Sequence, residues 1–377
     1  MKFRVERDVL ADAVAWTAKS LPSRPSVPVL AGVMLRVTDG RLQVSGFDYE
    51  VSSQVSVDVQ ADADGAALVS GRLLAEITKA LPAKPVDIAA VGSHLELVCG
   101  SARFTLPVMP VEDYPTLPEM PSSAGTVDAQ AFAVAVAQVA IAAGRDETLP
   151  MLTGVRVELD GTTMTMLATD RYRLAMRELE WSPDDSGISL NALIPAKTLN
   201  DTAKAMGPIG GAVTLALSQG NAGEGMVGFA GGARRTTSRL LDGANYPPVR
   251  SIFPASHNSQ ATVSVAGLVE VVRRVALVAE RTTPVLLSFS EDGLVVEAGG
   301  TEEARASEAM EATFNGEPLT IGFNPQYLID GLQNLGAPTA VLSFVDAFKP
   351  AVISPADEDG EIKPGYRYLI MPIRVTR

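Results

Sequence analysis

The chain of 377 residues is poor in the side chains that most often perform catalysis. One cysteine, Cys99, and two histidines, His94 and His257, leave almost nothing for a metal site built from thiolate and imidazole. In the segment TDRYRL, residues 169–174, a carboxylate stands beside two arginines. Asp170 could act there as a catalytic acid or base, but no second carboxylate, histidine or activated nucleophile accompanies it in the local sequence. A turn with an Asp–Arg ion pair and a peptide-docking edge are the other interpretations of this segment.

The charge balance limits the partners of the protein. With 31 basic and 44 acidic residues, the formal net charge is −13, which opposes non-specific adhesion to phosphate backbones or anionic membranes. Any nucleic-acid contact must therefore be local, and an aromatic content of 5% supplies no extended platform for stacking bases.

Composition also bounds the class of protein. An apolar content of 46% can fill buried cores, and at about 100–200 residues per domain the length suggests two or three domains. No apolar run reaches the roughly 18 residues of a membrane span, and the first ten residues do not resemble a signal peptide. We expect a cytoplasmic protein without cofactor or metal.

An internal repeat organises the sequence into thirds. The segment PVLAGV, residues 28–33, recurs as PMLTGV at 150–155, and GFD at 46–48 recurs as ATD at 168–170, both with an offset of 122. A weaker third copy begins near Ala261. Repeats must be recognised before single elements are assigned, because missing them misassigns the architecture.

Each third contains two helical segments followed by short alternating strands. The pattern predicts six helices, at 8–20, 71–81, 128–143, 196–206, 266–279 and 325–335. Alternation at 41–45, 163–167 and 294–297 predicts half-buried strands, entered through Asp-Gly turns at 39/40, 160/161 and 292/293. The prediction is an α+β chain of three domains, residues 1–121, 126–254 and 260–377.

The six helical segments hold 7 basic and 7 acidic residues, so they are less acidic than the rest of the chain. Ordinary solvated helix faces explain this balance, and so does a weakly positive surface made by all six helices together.

Taken together, these segments resemble the bacterial sliding clamps, the beta subunits of DNA polymerase III, and in particular their actinobacterial branch. The resemblance covers the chain from Met1 to the ending MPIR at 371–374, and the segments RPSVPVL at 24–30 and ATDRYRLA at 168–175 carry it most clearly. It implies two crescents of three clamp domains joined head to tail into a ring, with helices lining the hole and antiparallel sheets outside.

The resemblance also implies roles for individual residues. DNA would be faced by basic residues on or beside the helices: Arg24, Arg72, Lys79, Arg145, Lys197, Lys204 and Arg273. The dimer interface would hold Phe104 and Leu106 of one chain against Leu277 and Val278 of the other; burial inside one domain is the alternative for these residues.

A hydrophobic pocket on the outer face would receive short peptides of the DNA polymerase III alpha subunit, the clamp loader, repair polymerases and mismatch-repair proteins. The resemblance assigns to it Leu152, Thr169, Arg171, Tyr172, Arg173, Leu174, Pro247, Ile252, Asn324, Tyr327, Met371, Pro372, Ile373 and Arg374. Arg171 and Pro248 depart from the usual family pattern, which leaves open a specialised second clamp whose altered pocket resists an inhibitor.

Two alternatives from other classes stay open at this point. One is a hydrolase or nuclease that uses Asp170. The other is a monomeric peptide-binding scaffold that does not encircle DNA.

Overall fold

The computed structural model describes residues 1–22, 24–218, 225–279, 283–299 and 304–374. Within these residues the chain forms six α-helices: α1 Arg7–Ala18, α2 Gly71–Ala80, α3 Ala129–Ala140, α4 Ala196–Met206, α5 Val265–Val275 and α6 Pro325–Gln333. Each lies inside or within one residue of a helix predicted from the sequence, so the helical predictions are confirmed.

The strands are short and pair only antiparallel to one another in the described part of the chain. In chain order they are β1 Lys2–Val5, β2 Gly32–Thr38, β3 Arg41–Phe47, β4 Val51–Asp58, β5 Gln60–Ala63, β6 Gly65–Ser70, β7 Val86–Val91, β8 His94–Cys99, β9 Ala102–Pro107, β10 Ser123–Asp128, β11 Gly154–Asp160, β12 Thr163–Thr169, β13 Arg173–Glu180, β14 Ser182–Pro183, β15 Ser189–Pro195, β16 Ala212–Ser218, β17 Met226–Gly231, β18 Arg234–Arg239, β19 Ser259–Ser264, β20 Val285–Ser290, β21 Gly293–Ala298, β22 Ala306–Met310, β23 Thr313–Asn315, β24 Leu319–Phe323, β25 Thr339–Phe344, β26 Ala351–Ala356 and β27 Tyr366–Ile370.

The chain divides into two compact units. Unit 1 comprises Met1–Ala133, Trp181–Ser186 and Lys197–Leu240, and unit 2 comprises Val134–Glu180, Gly187–Ala196 and Leu241–Arg377. The central third contributes to both. The predicted domain ends at 121 and 254 lie in loops, whereas the predicted starts at 126 and 260 lie inside β10 and β19.

Unit 1 contains a five-stranded sheet in the order β5-β1-β7-β8-β9 and a nine-stranded sheet in the order β14-β10-β16-β17-β18-β4-β3-β2-β6. Helix α1 packs against α2. Leu10 and Val14 of α1 and Leu74 of α2 are fully buried in one core with the inward residues of the strands. The apolar positions along both helices recur at helical spacing, which gives each helix one buried face.

Unit 2 contains a nine-stranded sheet in the order β15-β11-β12-β13-β27-β26-β25-β19-β23 and a four-stranded sheet in the order β22-β21-β20-β24. Helix α5 packs against α6. Asn324 caps α6, because its Oδ1 accepts hydrogen bonds from the backbone N of Gln326 at 2.9 Å and of Tyr327 at 3.2 Å. Pro325 at the first helical position, which needs no amide hydrogen, completes this start signal.

The internal repeat is confirmed at the level of single turns. Both copies of the repeated segment form a 3-10 helix, at Pro28–Ala31 and Pro150–Thr153, followed directly by a strand. The two copies of the second repeated segment, at 46–48 and 168–170, also share their hydrogen bonds. Oδ1 of Asp48 accepts from the backbone N of residues 50 and 51, and Oδ1 of Asp170 accepts from the backbone N of residues 172 and 173. In each turn the residue after the aspartate has positive φ, 74° at Tyr49 and 81° at Arg171. The aspartate therefore sets the turn in both copies.

The predicted Asp-Gly turns are confirmed in part. At 39/40 the two residues form the whole loop and both have positive φ, as a type I′ hairpin requires. The other two loops are shifted by one residue, because Asp160 pairs with Thr163 and Ser290 pairs with Gly293. Asp160 therefore ends β11, and Gly293 begins β21 rather than the turn.

We predict opposite outcomes for alanine at two helical glycines of unit 2. A Cβ at Gly331 of α6 would overlap the ring of buried Tyr368, whereas a Cβ at Gly267 of α5 would meet nothing closer than 3.5 Å. Gly331→Ala should lower the free energy of unfolding by about 1–3 kcal/mol through overpacking. Gly267→Ala should leave it unchanged or raise it by up to about 1 kcal/mol through helix propensity. Urea titration followed by circular dichroism measures both, and equal effects would contradict the assigned packing of α6.

Candidate functional site

The turn between β12 and β13 is held rigidly by its own side chains. Asp170 Oδ1 accepts hydrogen bonds from the backbone N of Tyr172 and Arg173, both at 3.0 Å. The hydroxyl of Thr169 donates to the carbonyl of Arg173 at 2.7 Å and accepts from the backbone N of Arg171 at 3.2 Å. Arg171 at the tip is thus fixed in a left-handed conformation that a side chain rarely adopts.

Arg173 joins this turn to helix α6. Its Nε lies 3.0 Å from Asp170 Oδ2 and its Nη1 lies 2.7 Å from Asp330 Oδ2, while the guanidinium carbon stands 4.4 Å from the centre of the Tyr327 ring. The side chain is 7% exposed. Burial by itself lowers the pKa of Arg173, but Tyr368 and the two aspartates outweigh it, so the pKa lies above its ordinary value. The arginine is therefore a permanent cation between two carboxylates.

Both carboxylate oxygens of Asp170 are occupied in this arrangement, Oδ1 by two backbone amides and Oδ2 by Arg173. This supports the interpretation of the segment as a turn with an ion pair. Within the described ranges, no three His, Cys, Asp or Glu side chains come close enough together to hold a metal ion.

An apolar cavity of about 470 Å³ opens beside the turn. This volume lies within the roughly 300–1,000 Å³ typical of sites for small ligands. Its walls are mostly aliphatic and come from four separate stretches of sequence: Leu149, Met151, Leu152, Thr169, Arg171, Arg173, Leu174, Asn245, Pro247, Val249, Ile252, Leu369 and Met371. We call it the apolar cavity.

The floor of the apolar cavity is a compact cluster that includes Leu167, Leu174, Tyr246, Val249 and Leu369. Tyr246 is 7% exposed, and Arg156 stands 5.6 Å from the centre of its ring. Burial raises the pKa of the Tyr246 phenol well above its ordinary value. The buried ring anchors the loop whose neighbouring residues, Asn245 and Pro247, line the cavity.

A second cavity, of about 320 Å³, adjoins the first and shares Leu149, Leu152, Arg171 and Arg173 with it. Its other lining residues belong to the segment after α3, the β12–β13 turn and the first turns of α6: Ala143, Gly144, Arg145, Asp146, Asp170, Tyr172, Gln326, Tyr327 and Asp330. The rings of Tyr172 and Tyr327 stack with centres 6.2 Å apart. We call it the polar cavity, because charged side chains are among its lining residues.

Ten of the fourteen pocket residues predicted from the sequence line one or both cavities. These are Leu152, Thr169, Arg171, Tyr172, Arg173, Leu174, Pro247, Ile252, Tyr327 and Met371. Asn324, Pro372, Ile373 and Arg374 line neither. Pro248, the second departure from the usual family pattern, is exposed and also lies outside both linings.

The four residues outside the linings have other surroundings. The Oδ1 of Asn324 is occupied as the cap of α6. The C-terminal segment is tied down by its backbone: Met371 N donates to Tyr172 O and Ile373 N donates to Gly322 O, both at 2.8 Å. Pro372 is half-buried and Arg374 is exposed.

Sequence reasoning missed several lining residues, including Leu149, Met151, Asn245, Val249 and Leu369. Met151 lies inside the repeated 3-10 segment, and Asn245 and Val249 flank the predicted Pro247. Proximity to predicted residues was the available signal for these three. Nothing in the sequence separates Leu369 from an ordinary core residue of β27.

The seven residues predicted to face DNA are all exposed, and none makes an ion pair with a described residue. Arg72 and Lys79 lie seven residues apart on α2, and Lys197 and Lys204 have the same spacing on α4. Seven residues are close to two helical turns, so each pair shares one face of its helix. Arg145, by contrast, lines the polar cavity.

The predicted interface residues differ in exposure. Leu277 is 85% and Phe104 is 37% exposed, and Val278 is partly exposed. Leu106 is only 1% exposed and belongs to the core of unit 1, so its prediction as an interface residue is wrong and the alternative of internal burial is correct. Leu106 pairs with Leu95 and Phe104 with Leu97, so both lie on the same face of the edge strand β9, but only Leu106 is covered.

None of the described helices combines the length and the apolar character that crossing a membrane takes.

We predict that Arg173→Gln destabilises unit 2 far more than Arg250→Gln. Both arginines bridge two carboxylates, but Arg250, between Glu158 and Glu178, is 51% exposed. Loss of Arg173 leaves two mostly buried carboxylates without their cation and should cost about 2–4 kcal/mol. Loss of Arg250 should cost less than about 1 kcal/mol, because solvent screens exposed pairs. Urea titration of each variant measures the difference; equal costs would exclude Arg173 as the central bridge of the site.

Comparison with known proteins gives a consistent result over the whole chain. Models of the N-terminal, central and C-terminal domains of the DNA polymerase III beta subunit match residues 1–118, 126–248 and 250–374. The beta sliding clamp of Streptomyces coelicolor is 54% identical over 378 residues, covering 100% of both chains. The beta sliding clamp homolog GriR of Streptomyces muensis is 43% identical, also over 100% of both chains.

Solved structures agree. The sliding clamp of Bacillus subtilis superposes with a TM-score of 0.89 at 26% identity, and that of Pseudomonas aeruginosa bound to griselimycin superposes with a TM-score of 0.88 at 27% identity. Each comparison covers 100% of both chains. With three domain models matched in order and relatives aligned from end to end, the chain belongs to the DNA polymerase III beta subunit family, the bacterial sliding clamps.

Proposed function

We propose that this clamp closes as a head-to-tail homodimer around duplex DNA and, without catalysing a reaction itself, tethers the replicative polymerase and other proteins to it. Tethering raises the effective concentration of the polymerase at the primer end, which converts repeated dissociation into continuous synthesis. Holding DNA by topology requires no tight ionic contact and leaves the ring free to slide.

The observation that carries this proposal is the distribution of free cations. Arg72, Lys79, Lys197 and Lys204 repeat the same spacing on α2 and α4, are exposed and have no acidic partner among the described residues. Many other basic side chains are paired, as Arg41 is with Asp58 and Arg274 is with Glu308. In a protein of net charge −13, helix faces whose cations make no ion pair are the surfaces that fit a phosphate backbone.

Closure into a ring needs two complementary ends. Strand β9 is an edge of its sheet in unit 1, and β22 is an edge of its sheet in unit 2, so each presents unpaired backbone groups. Leu277, 85% exposed, follows α5, and Phe104 lies on β9. Apolar surface beside an open edge is what a heterologous interface requires, and we assign Phe104, Leu277 and Val278 to it.

The apolar cavity is proposed to bind short extended peptides of the DNA polymerase III alpha subunit, the clamp loader, repair polymerases and mismatch-repair proteins. Its aliphatic walls would bury apolar side chains, each contributing about 1.5–3 kcal/mol before the cost of ordering the peptide. A specialised second clamp is the alternative. Greater identity to the Streptomyces coelicolor clamp, 54%, than to GriR, 43%, favours the general clamp.

We predict that Leu277→Asp abolishes closure. A charge at this exposed apolar position would remain desolvated in the closed interface, so the variant should sediment as one chain where the wild type sediments as two. Loaded by a clamp loader onto nicked circular DNA, the wild type should stay on circles and escape after linearisation, and the variant should not be retained.

The control is Phe348→Asp, which introduces the same charge at another exposed apolar residue, 66% exposed, outside the proposed interface. It should remain a dimer that is retained on circles. A wild type that sediments as one chain would refute encirclement.

A second prediction concerns the helical cations. The double change Lys197→Gln and Lys204→Gln should reduce the dependence of duplex binding on salt, because each phosphate that a lysine no longer neutralises lowers the slope by about one. Anisotropy of a labelled duplex between about 50 and 200 mM salt measures this slope. The control, Lys349→Gln and Lys363→Gln, removes two exposed loop lysines. An equal decrease of the slope in the control would argue against DNA contact by the helix faces.

A further inference from the structure

The acidic groups of the polar cavity are largely engaged, and the exposed Asp146 keeps one carboxylate oxygen, Oδ2, without a hydrogen bond to a described residue. Asp170 uses both oxygens in the turn and the Arg173 bridge, and Asp330 accepts from Arg173 at 2.7 Å and from the side-chain amide of Gln326 at 2.7 Å. Asp146 Oδ1 accepts from the backbone N of Thr148 at 3.0 Å and from its hydroxyl at 2.6 Å. The pKa of Asp146 lies below its ordinary value, chiefly because the Thr148 hydroxyl binds its charged form.

The guanidinium groups of Arg145 and Arg171 are not satisfied. Both residues are exposed, line the polar cavity and donate no side-chain hydrogen bond to a described residue. An arginine presents five N–H donors and no acceptor. Arg145 and Arg171 therefore offer free donors to the cavity, so a group that binds them must supply acceptors.

Arg171 is well placed to select such a molecule. It lines both cavities, and its backbone is fixed at φ 81° by the turn. Its guanidinium carbon stands 5.8 Å from the centre of the Tyr172 ring, which lies beside Tyr327. A fixed backbone and a stacked side chain lower the entropy lost when a ligand binds.

We propose that the polar cavity is a specificity subsite that binds an aspartate or glutamate side chain of the same partner peptide whose apolar residues fill the apolar cavity. This inference rests on the proposed peptide-binding function. The two cavities share four residues, so neighbouring residues of one extended peptide, about 3.8 Å apart between Cα atoms, reach both. Charge-assisted hydrogen bonds from arginine to carboxylate supply the preference.

The expected preference is modest for a physical reason. Asp146 lies close enough to Arg171 for the charge of the arginine to contribute to lowering the aspartate pKa, so it offsets part of the attraction for an incoming carboxylate. The cavity is also open to solvent, which screens exposed ion pairs. We expect a carboxylate to improve affinity by about 3–10-fold over its uncharged amide.

The test uses labelled ten-residue peptides with adjacent leucine and phenylalanine as apolar anchors. One aspartate is moved from four residues before the anchors to four residues after them, and each peptide has an asparagine counterpart of the same shape. Fluorescence anisotropy gives both affinities for the wild-type clamp, for Arg171→Asn and for Arg145→Gln. Asparagine is chosen at position 171 because it tolerates positive φ and keeps the turn. The matched control is Arg36→Gln, an exposed arginine of unit 1.

For at least one position of the aspartate in the peptide, the wild type and Arg36→Gln should bind the aspartate peptide about 3–10-fold more tightly than its asparagine counterpart. This preference should fall below about 2-fold in Arg171→Asn or in Arg145→Gln, and it should also fall at high salt. If both peptides of every pair bind the wild type equally, or the preference survives in both cavity variants, the subsite is refuted while the apolar pocket stands. If no peptide of the set binds the wild type, the peptide-binding function itself fails.

Discussion

The bridge from Arg173 to Asp170 and Asp330 is the interaction on which the site depends. It joins a hairpin turn of the central third to a helix of the last third within unit 2, and it does so with a mostly buried cation. A buried arginine is costly unless its partners are ionised and correctly placed. The β12–β13 turn fixes the position of Asp170. The Asn324 cap and the packing of Gly331 against Tyr368 fix helix α6, which carries Asp330. Leu152, Leu174 and Met371 can then enclose a cavity instead of collapsing into it.

Charged side chains that have bonded partners and basic side chains that make no ion pair have different roles in this protein. Carboxylates near the site accept hydrogen bonds from amides, hydroxyls or Arg173, whereas Arg145 and Arg171 at the polar cavity and the lysines of α2 and α4 make no direct ion pair with a described residue. An excess of acid over the whole chain is therefore compatible with binding anions at chosen surfaces. Net charge keeps unrelated polyanions away, and local charge decides where a specific one is tolerated.

The residues show how far sequence reasoning reaches. The offset of 122 residues predicted an internal repeat, and the structure adds that Asp48 and Asp170 form equivalent turns with the same hydrogen bonds. Helical spacing predicted six helices because the apolar stripe of each recurs along a single segment. Sequence reasoning did not separate Leu106 from Phe104, since both lie on the same face of β9 and only the packing of the folded unit decides which is covered. Nor did it distinguish Arg145, which lines the polar cavity, from the cations on the helices.

By itself, the sequence determined the three-part repeat, the elements of each part and the positions of the basic residues on α2 and α4. These properties are local or periodic, so they can be read along the chain. Only the tertiary structure decided which side chains enclose the cavities. Their walls come from residues 143–174, 245–252, 326–330 and 369–371, which meet because β13 pairs with β27 and α6 packs on Tyr368. The depth and charge of such a space depend on long-range packing, which leaves no periodic trace in any one segment.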